Sequence, residues 1–471
     1  MFKALATTKP RFLWQKQPWS LSALMNPSFS AFRFRSSMTH MIDEPIEEEL
    51  LPGNRLKYMH PTQPGEILDG RFKPITKLGF GTDSTVWLAE NLNFKRRGKS
   101  LVSPRYVSIK ITALDAYGSQ EINSKLISTA QTSSHEGIDL IRTPIDEFQL
   151  KGPEGTHVCL VYEIMRETLF EFRHRMLRKK LELPLFRLYI YCLLVALDCL
   201  HTECRLIHTD IKEKNIMITL ENNDVVANFV DFYKEEPPSK HVRTEDGRAT
   251  YLSRNYFGSL QGSKLVPMLS DFDCAAPFLD NDYGHVWPIQ SHCFRAPEVL
   301  LGCPWTYSVD IWNLGLLMWN LLEDVTLFDR PAGKDGEDYD AHIHLAQMAS
   351  LLGDPPDDLI IRERYFSQFR LGGPIMNLRG KECMTMNEFW GGPFFNDDNQ
   401  LLCRDLLKGG KKLADTVTEL TGSEKEAFLD LASIMLQWLP EKRTTAKELM
   451  EHPFFESVNK SRTKYYENFF V

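Results

Sequence analysis

The sequence has no C-x-x-C pair. Its nine cysteines are scattered and odd in number, which excludes a complete disulfide framework and a cysteine-based zinc site and favours free thiols in a reducing compartment. No uninterrupted apolar run approaches the ~18 residues that a membrane-spanning helix needs. The nearest, Leu188 to Leu200, is short and carries Asp198, so a protein with no membrane partner is expected. Internal repeats and sustained low-complexity tracts are also missing, which sets aside solenoids and collagen-like or wholly disordered chains. Acid is absent from residues 1–42, which hold six Lys and Arg and many Ser and Phe. That stretch lacks the apolar core of a secretory signal and has the composition of a mitochondrial transit peptide, although Trp14, Trp19 and three prolines interrupt a clean amphipathic helix.

What is present is globular: 471 residues, 43% hydrophobic and 25% charged. The formal charge is −8, and beyond residue 42 there are 49 basic against 63 acidic residues, or −14. An acidic body repels nucleic-acid phosphate and matches a cationic protein substrate.

The chain divides into a basic tail over 1–42, a linker over 43–70 that opens with Asp43 to Leu51 (DEPIEEELL), and an ordered remainder. From Arg71 the apolar period is two: RFKPITKLGFGTDSTVWLAENL reads as strand, glycine turn, strand, and further strands start at Tyr106 and His157. The period then becomes helical, and Leu185 to His201 is apolar on nearly every face, as in a helix buried in a large core. Strands followed by helices predict an α+β fold in two lobes.

Gly79-Phe80-Gly81-Thr82-Asp83-Ser84 joins two strands, so it is neither a dinucleotide-binding turn, which opens a helix, nor a Walker A loop, which needs Gly-Lys-Ser/Thr. A glycine hairpin of this kind can lay backbone N–H groups over phosphates. On the next strand Lys110 can reach such phosphates if a carboxylate holds it, and Glu121, in the helical-looking SQEINSKLIST, is the candidate partner. Downstream come His208-Thr209-Asp210-Ile211-Lys212-Glu213-Lys214-Asn215, then Asp271-Phe272-Asp273, Ala296-Pro297-Glu298, Asp310-Ile311-Trp312-Asn313 and Arg443.

In this order and spacing the motifs identify a member of the protein kinase superfamily, and Glu47 to about Phe455 more narrowly resembles the SR-protein kinases, fungal type. The narrower likeness rests on KLGFGTDSTVWLAE, GPEGTHVCLVYEIM, HTDIK, GRATYLSRNYF and FRAPEVLLG. It implies an antiparallel N-lobe sheet with one main helix (71–164) over a mostly helical C-lobe (165–456) with an insertion at 218–265, and a C-terminal tail at 457–471. It also implies Mg²⁺ and ATP as cofactors, Asp210 as the base, Lys212 steadying the transferred phosphoryl, and Lys110 paired with Glu121. Asn215 and Asp271 would bind the metal, Asp310 would brace the catalytic loop, and Glu298 would pair with Arg443. Leu78, Gly79, Gly81, Val86, Lys110, Tyr162, Glu163 and Met165 would line the nucleotide site, with Ile164 as an apolar wall. The expected activity is transfer of the γ-phosphoryl of ATP to Ser or Thr of a basic or Arg-Ser-rich, splicing-type protein, by a monomer in cytoplasm or nucleus, or in mitochondria if residues 1–42 are an import signal. An ATP-binding pseudokinase scaffold is the alternative.

Four departures from the family pattern stand out. Asp273 replaces the glycine of D-F-G, a position that often needs backbone freedom and where Asp takes left-handed geometry only at a cost; Ser84 replaces the third loop glycine, Ser108 the alanine two residues before Lys110, a small change that should fit, and Thr209 the usual arginine before the base. Thr209 removes a cation that would hold an activation-segment phosphate, so activity without such phosphorylation is expected; the hydroxyls available between Asp271 and Glu298 are Tyr283 and Ser291. The 55 residues between Asn215 and Asp271 contain Pro237-Pro238 and read as an elaborated loop.

Overall fold

A computed structural model describes residues 41–467 apart from 95, 98–99, 102–103, 117–118, 177, 235, 237, 261–264, 281–283, 330–338, 378, 403 and 407–411. The basic segment read as a transit peptide, except for its last two residues, and Tyr283 lie outside the described residues. The chain forms two compact units. The first comprises Met1–Tyr117, Ser134–Glu167 and Ile218–Met268; the second comprises Gly118–Ser133, Thr168–Met217 and Leu269–Val471.

The first unit is built on a five-stranded antiparallel sheet. Its strands are β1 (Phe72–Phe80), β2 (Ser84–Asn91), β3 (Tyr106–Thr112), β4 (Asp146–Lys151) and β5 (Thr156–Tyr162), in the order β1-β2-β3-β5-β4. The alternation of the sequence drives it: Trp87, Val107, Ile109, Ile111, Cys159 and Val161 make one apolar cluster with Phe72 and Phe148. β4, which the sequence reading passed over, has one buried residue, Phe148, and is weakly patterned.

The insertion differs from its reading as a loop of the C-lobe. Asn223–Lys234 is a helix, Lys240–Val242 and Ala249–Tyr251 form an antiparallel hairpin, and both belong to the first unit. The reason is an apolar stripe at helical spacing: Val225, Val226, Phe229 and Val230 pack with Leu88 and Ile164, flanked by Ile75, Leu78 and Tyr106. Exposed alone, that stripe would face water.

A buried cation ties the acidic linker into the same unit. Lys77 is wholly buried; its Nζ donates to Glu47 at 2.6 Å, to Glu48 and to the Tyr251 carbonyl at 3.2 Å. Glu47 in turn accepts from the Ser253 backbone N–H at 2.6 Å. Segments that are remote in sequence thus neutralise one charge that could not be buried alone.

In the second unit α1 (Ser119–Thr132) precedes α2 (Leu183–Thr202), and α2 packs on α4 (Ser308–Glu323). (The insertion helix Asn223–Lys234 is α3.) α2 is apolar and long enough to cross a bilayer, yet 72% of its most hydrophobic window is buried inside the protein, as befits a core helix. Phe186 of α2, Trp319 of α4 and Phe428 of α5 (Gly422–Met435) meet in the core, Trp319 and Phe428 edge to face at 5.1 Å. The expected C-terminal tail is instead helical over Glu456–Glu467.

Candidate active site

In the second unit the catalytic-loop residues converge on one carboxylate. Asp210 Oδ2 accepts from Lys212 Nζ at 2.6 Å and from Asn215 Nδ2 at 2.9 Å, while Oδ1 accepts from Ser291 Oγ at 2.7 Å. Lys212 Nζ also donates to Ser291 Oγ, at 3.1 Å. Sequence reasoning treated Ser291 only as a phosphate acceptor; the structure makes it a partner of the proposed base, 81 residues away in the chain. Its position seven residues before Glu298 was the available signal.

The loop is held from beneath by Asp310, which is fully buried at the start of α4. Its carboxylate accepts the backbone N–H groups of His208 and Thr209, both at 2.8 Å, and the His201 Nε2–H at 2.9 Å. His208 Nε2–H donates to the Ser270 carbonyl at 3.0 Å, leaving Nδ1 to accept the Asp210 N–H at 3.3 Å. Thr209 has a φ of +69°, an unusual state for a β-branched residue, and is kept there by its bond to Asp310 and by Oγ1 donating to the Cys274 carbonyl at 2.7 Å. Glu213, beside the loop, is clasped by the buried Arg173.

Asp271 takes a φ of +62°, whereas Asp273 stays out of the left-handed region. The backbone cost expected at Asp273 is therefore absent. Desolvation and the negative charges of Asp210, Asp271 and Asp273 push the Cys274 thiol up to about 11, so it is protonated at neutral pH. Glu298 and Arg443 form the expected bidentate pair, 2.6 Å on each arm, with both side chains wholly buried. Arg295 reaches the carbonyls of Ile289 and Gln290 and lies over the rings of Tyr339 and Trp390 at 4.6 and 4.3 Å, fixing the segment before Ala296.

In the first unit, Lys110 sits at mid-sheet, opposite Val86 on β2 and Leu160 on β5. Gly79 and Gly81 lie in the β1–β2 hairpin with ordinary φ, and an added Cβ at either would meet nothing within 4 Å. Nothing in the fold itself requires glycine there. The hairpin tip is gripped by Arg55, which donates to the Thr82 carbonyl at 2.9 Å and pairs with Asp83 at 2.6 Å and with Asp115. Leu78 and Ile164 adjoin the insertion cluster, Met165 is buried and Glu163 is exposed. Ser108 does more than fit: its Oγ accepts from Arg142 at 2.7 Å, and Arg142 lies over the Tyr162 ring at 4.6 Å. Ser84 is buried and pairs with Thr112 in the sheet. Glu121, on α1 of the second unit, is 72% exposed and ion-paired with Lys125 at 3.8 Å.

Comparison with known proteins decides the family. The protein kinase domain model matches residues 72–455. The chain belongs to the protein kinase family. This kinase is 31% identical to a serine/threonine protein kinase of Aspergillus fumigatus over 87% of its own length and 90% of that protein. It is 27% identical to the serine/threonine-protein kinase SRPK of Physarum polycephalum over 85% and 89% of the two chains, and 24% identical to the AFC3 kinase of Arabidopsis thaliana over 97% and 98%. The resemblance to SR-protein-kinase-like enzymes therefore extends along most of the chain. A crystal structure of a kinase domain superposes with a TM-score of 0.56 at 21% identity, covering 84% of this chain and 98% of that one, which shows the shared fold.

Proposed function

We propose that this kinase transfers the γ-phosphoryl of Mg·ATP to a Ser or Thr hydroxyl of a basic, Arg-Ser-rich protein. The observation that carries the reading is the convergence of Lys212, Asn215 and Ser291 on Asp210, which fixes a carboxylate where an incoming hydroxyl can deliver its proton. Lys212 stands beside that carboxylate and supplies positive charge for the phosphoryl in transit. The glycines of the β1–β2 hairpin leave room for phosphates to approach main-chain N–H groups, and Lys110 supplies charge on the same sheet.

Asn215 and Asp271 fit a hard divalent cation. The Asn215 amide nitrogen is spent on Asp210, which leaves its carbonyl oxygen as the atom suited to a cation, and Asp271 adds a carboxylate. Bound there, Mg²⁺ would neutralise phosphate charge. We take Glu121 as the partner of Lys110 during turnover, since among the described residues its exposed carboxylate has only a weak pairing, with Lys125. The ordinary backbone at Asp273 supports an active enzyme over a silent scaffold. The net −14 beyond residue 42 favours a cationic substrate, as do relatives named SRPK. We place the enzyme in cytoplasm or nucleus, with residues 1–42 fused to a reporter as the test of import.

The deciding assay uses labelled ATP with an Arg-Ser-repeat peptide beside a generic basic protein. Faster incorporation into the Arg-Ser peptide, abolished by Asp210→Asn, is expected. Equal rates on both would overturn the substrate class, and no incorporation with intact ATP binding would return the scaffold reading.

A further inference from the structure

A cavity of ≈ 500 Å³ opens within the first unit, apart from the glycine hairpin. Lys57 of the N-terminal segment, Glu154 and His157 of the β4–β5 hairpin, and Arg243, Asp246 and Arg248 of the insertion hairpin face it. Its volume is in the range of small-ligand sites.

Arg248 lacks the carboxylate clasp that several deeply placed arginines have. Arg166, Arg173 and Arg443 each clasp a carboxylate. Arg248 is half-buried, and burial draws its pKa down, yet its one side-chain hydrogen bond among the described residues is Nη2–H to the Met59 carbonyl at 2.8 Å. The acids that oppose its charge, Glu48, Glu49 and Asp246, act without a direct ion pair. Asp246 is engaged otherwise: it accepts the Arg248 backbone N–H at 3.0 Å and lies 3.6 Å from Arg243 Nε. Lys57 rests over the Tyr58 ring at 4.6 Å and, among the described residues, has no carboxylate partner.

The lining also includes an imidazole. His157 is 2% exposed; its Nδ1–H donates to the Thr112 carbonyl at 2.8 Å, and Nε2 has no hydrogen-bond partner among the described residues. His60 meets it edge-on at 5.2 Å. Burial holds both imidazoles below the usual histidine range, His60 at about 4, so neither is charged at neutral pH. The fixed charges facing the space are then three cations against Glu154 and Asp246.

We propose that this cavity is a binding site for a phosphate monoester, carried either on a phosphorylated residue of a protein or on a small molecule. Arg248 supplies guanidinium N–H donors not used within the fold, Lys57 an exposed ammonium, and Arg243 a third positive charge already oriented by Glu245. The space exceeds a bare phosphate and accommodates the group to which it is esterified.

The test uses the full-length kinase saturated with Mg²⁺ and a non-hydrolysable ATP analogue, so that the nucleotide site is filled. O-phospho-L-serine, inorganic phosphate, a phosphoserine peptide and its unphosphorylated counterpart are titrated calorimetrically. Binding of the phosphorylated compounds and not of the unphosphorylated peptide is expected. Arg248→Lys, which keeps the charge but loses the guanidinium geometry, should weaken binding about tenfold, and Lys57→Ala by several-fold, with Tm and peptide phosphorylation unchanged. A phosphopeptide that binds at least about tenfold tighter than inorganic phosphate assigns the site to a protein partner; equal affinities assign it to small phosphates. Absent binding, equal binding of the unphosphorylated peptide, or affinities indifferent to both substitutions would overturn the proposal, and none of these outcomes bears on catalysis at Asp210.

Discussion

The catalytic loop and the glycine hairpin are built by opposite means. His208, Thr209 and Asp310 are fully buried, and the loop's shape is specified by bonds from α4, from the Asp271 segment and from Ser291. The hairpin is a surface structure: Phe80 is 40% exposed, and a Cβ added at either glycine would meet nothing within 4 Å. A proton acceptor must be held to within fractions of an ångström, so its support is buried and redundant. A phosphate cover, the role proposed for the hairpin, needs open backbone, and the fold itself would admit a side chain at either glycine.

That contrast predicts how substitutions divide. Asp210→Asn should lower kcat by about three orders of magnitude or more while Mg·ATP still raises Tm, because the base acts on the hydroxyl and not on the nucleotide. Comparable turnover in the variant would remove Asp210 from the reaction. Asp310→Ala should follow, with kcat down about a hundredfold and a clear fall in Tm, since two buried N–H groups lose their acceptor. A variant that stayed fully active would show the loop to be shaped by something other than Asp310.

Ser291→Ala should cost about tenfold in kcat, with Ser291→Thr restoring most of it, because the role is a hydroxyl bond to Asp210. Phosphatase treatment of the unaltered enzyme separates this from phosphorylation: a rate that survives phosphatase but falls in Ser291→Ala marks a positioning residue, and loss on phosphatase treatment would contradict the switch-free reading. At the hairpin, Gly81→Ala should raise the KM for ATP several-fold and move Tm by no more than about 1 °C, as there is space and no left-handed φ. An unfolded variant would break the contrast.

The smallest effect lies away from both regions. Burial raises the Glu363 carboxyl to about 7 despite the Asn387 amide donated to it. A carboxyl whose folded pKa lies above its unfolded value favours folding below about pH 4.5 and loses that contribution as pH rises through 7. Glu363→Gln should therefore raise Tm by a degree or two at pH 8, leave it unchanged at pH 4.5 and leave kcat alone.

What could be read beforehand was whatever depends on short spacing. The Asp210-to-Asn215 loop, the strand placing Lys110 and the helix from Leu183 follow from local pattern, and Glu298 with Arg443 came from family motifs. The roles of Ser291, Arg55, Lys77 and Ser108 were hidden because each is defined by partners at least 27 residues away. Asp273 was misjudged for a related reason. A residue type constrains which φ is comfortable but not which of two neighbouring positions must take the strain, and Asp271 takes it here. The insertion helix was legible in principle, since Val225, Val226, Phe229 and Val230 have helical spacing, but the prolines and charges after it drew the reading towards a loop.

The linker clasp on Lys77 also bears on where this protein can be cut. The family match begins at Phe72, yet the counter-charges of Lys77 and the Arg55 grip on Thr82 and Asp83 lie upstream of it. A recombinant chain trimmed to the matched boundary would retain every residue of the catalytic loop and leave a lysine stranded in an apolar interior. Its failure would look like poor expression or inclusion bodies, and a screen would score it as an inactive enzyme although no catalytic group had been touched. Starting such chains before Glu47 is the practical rule that follows.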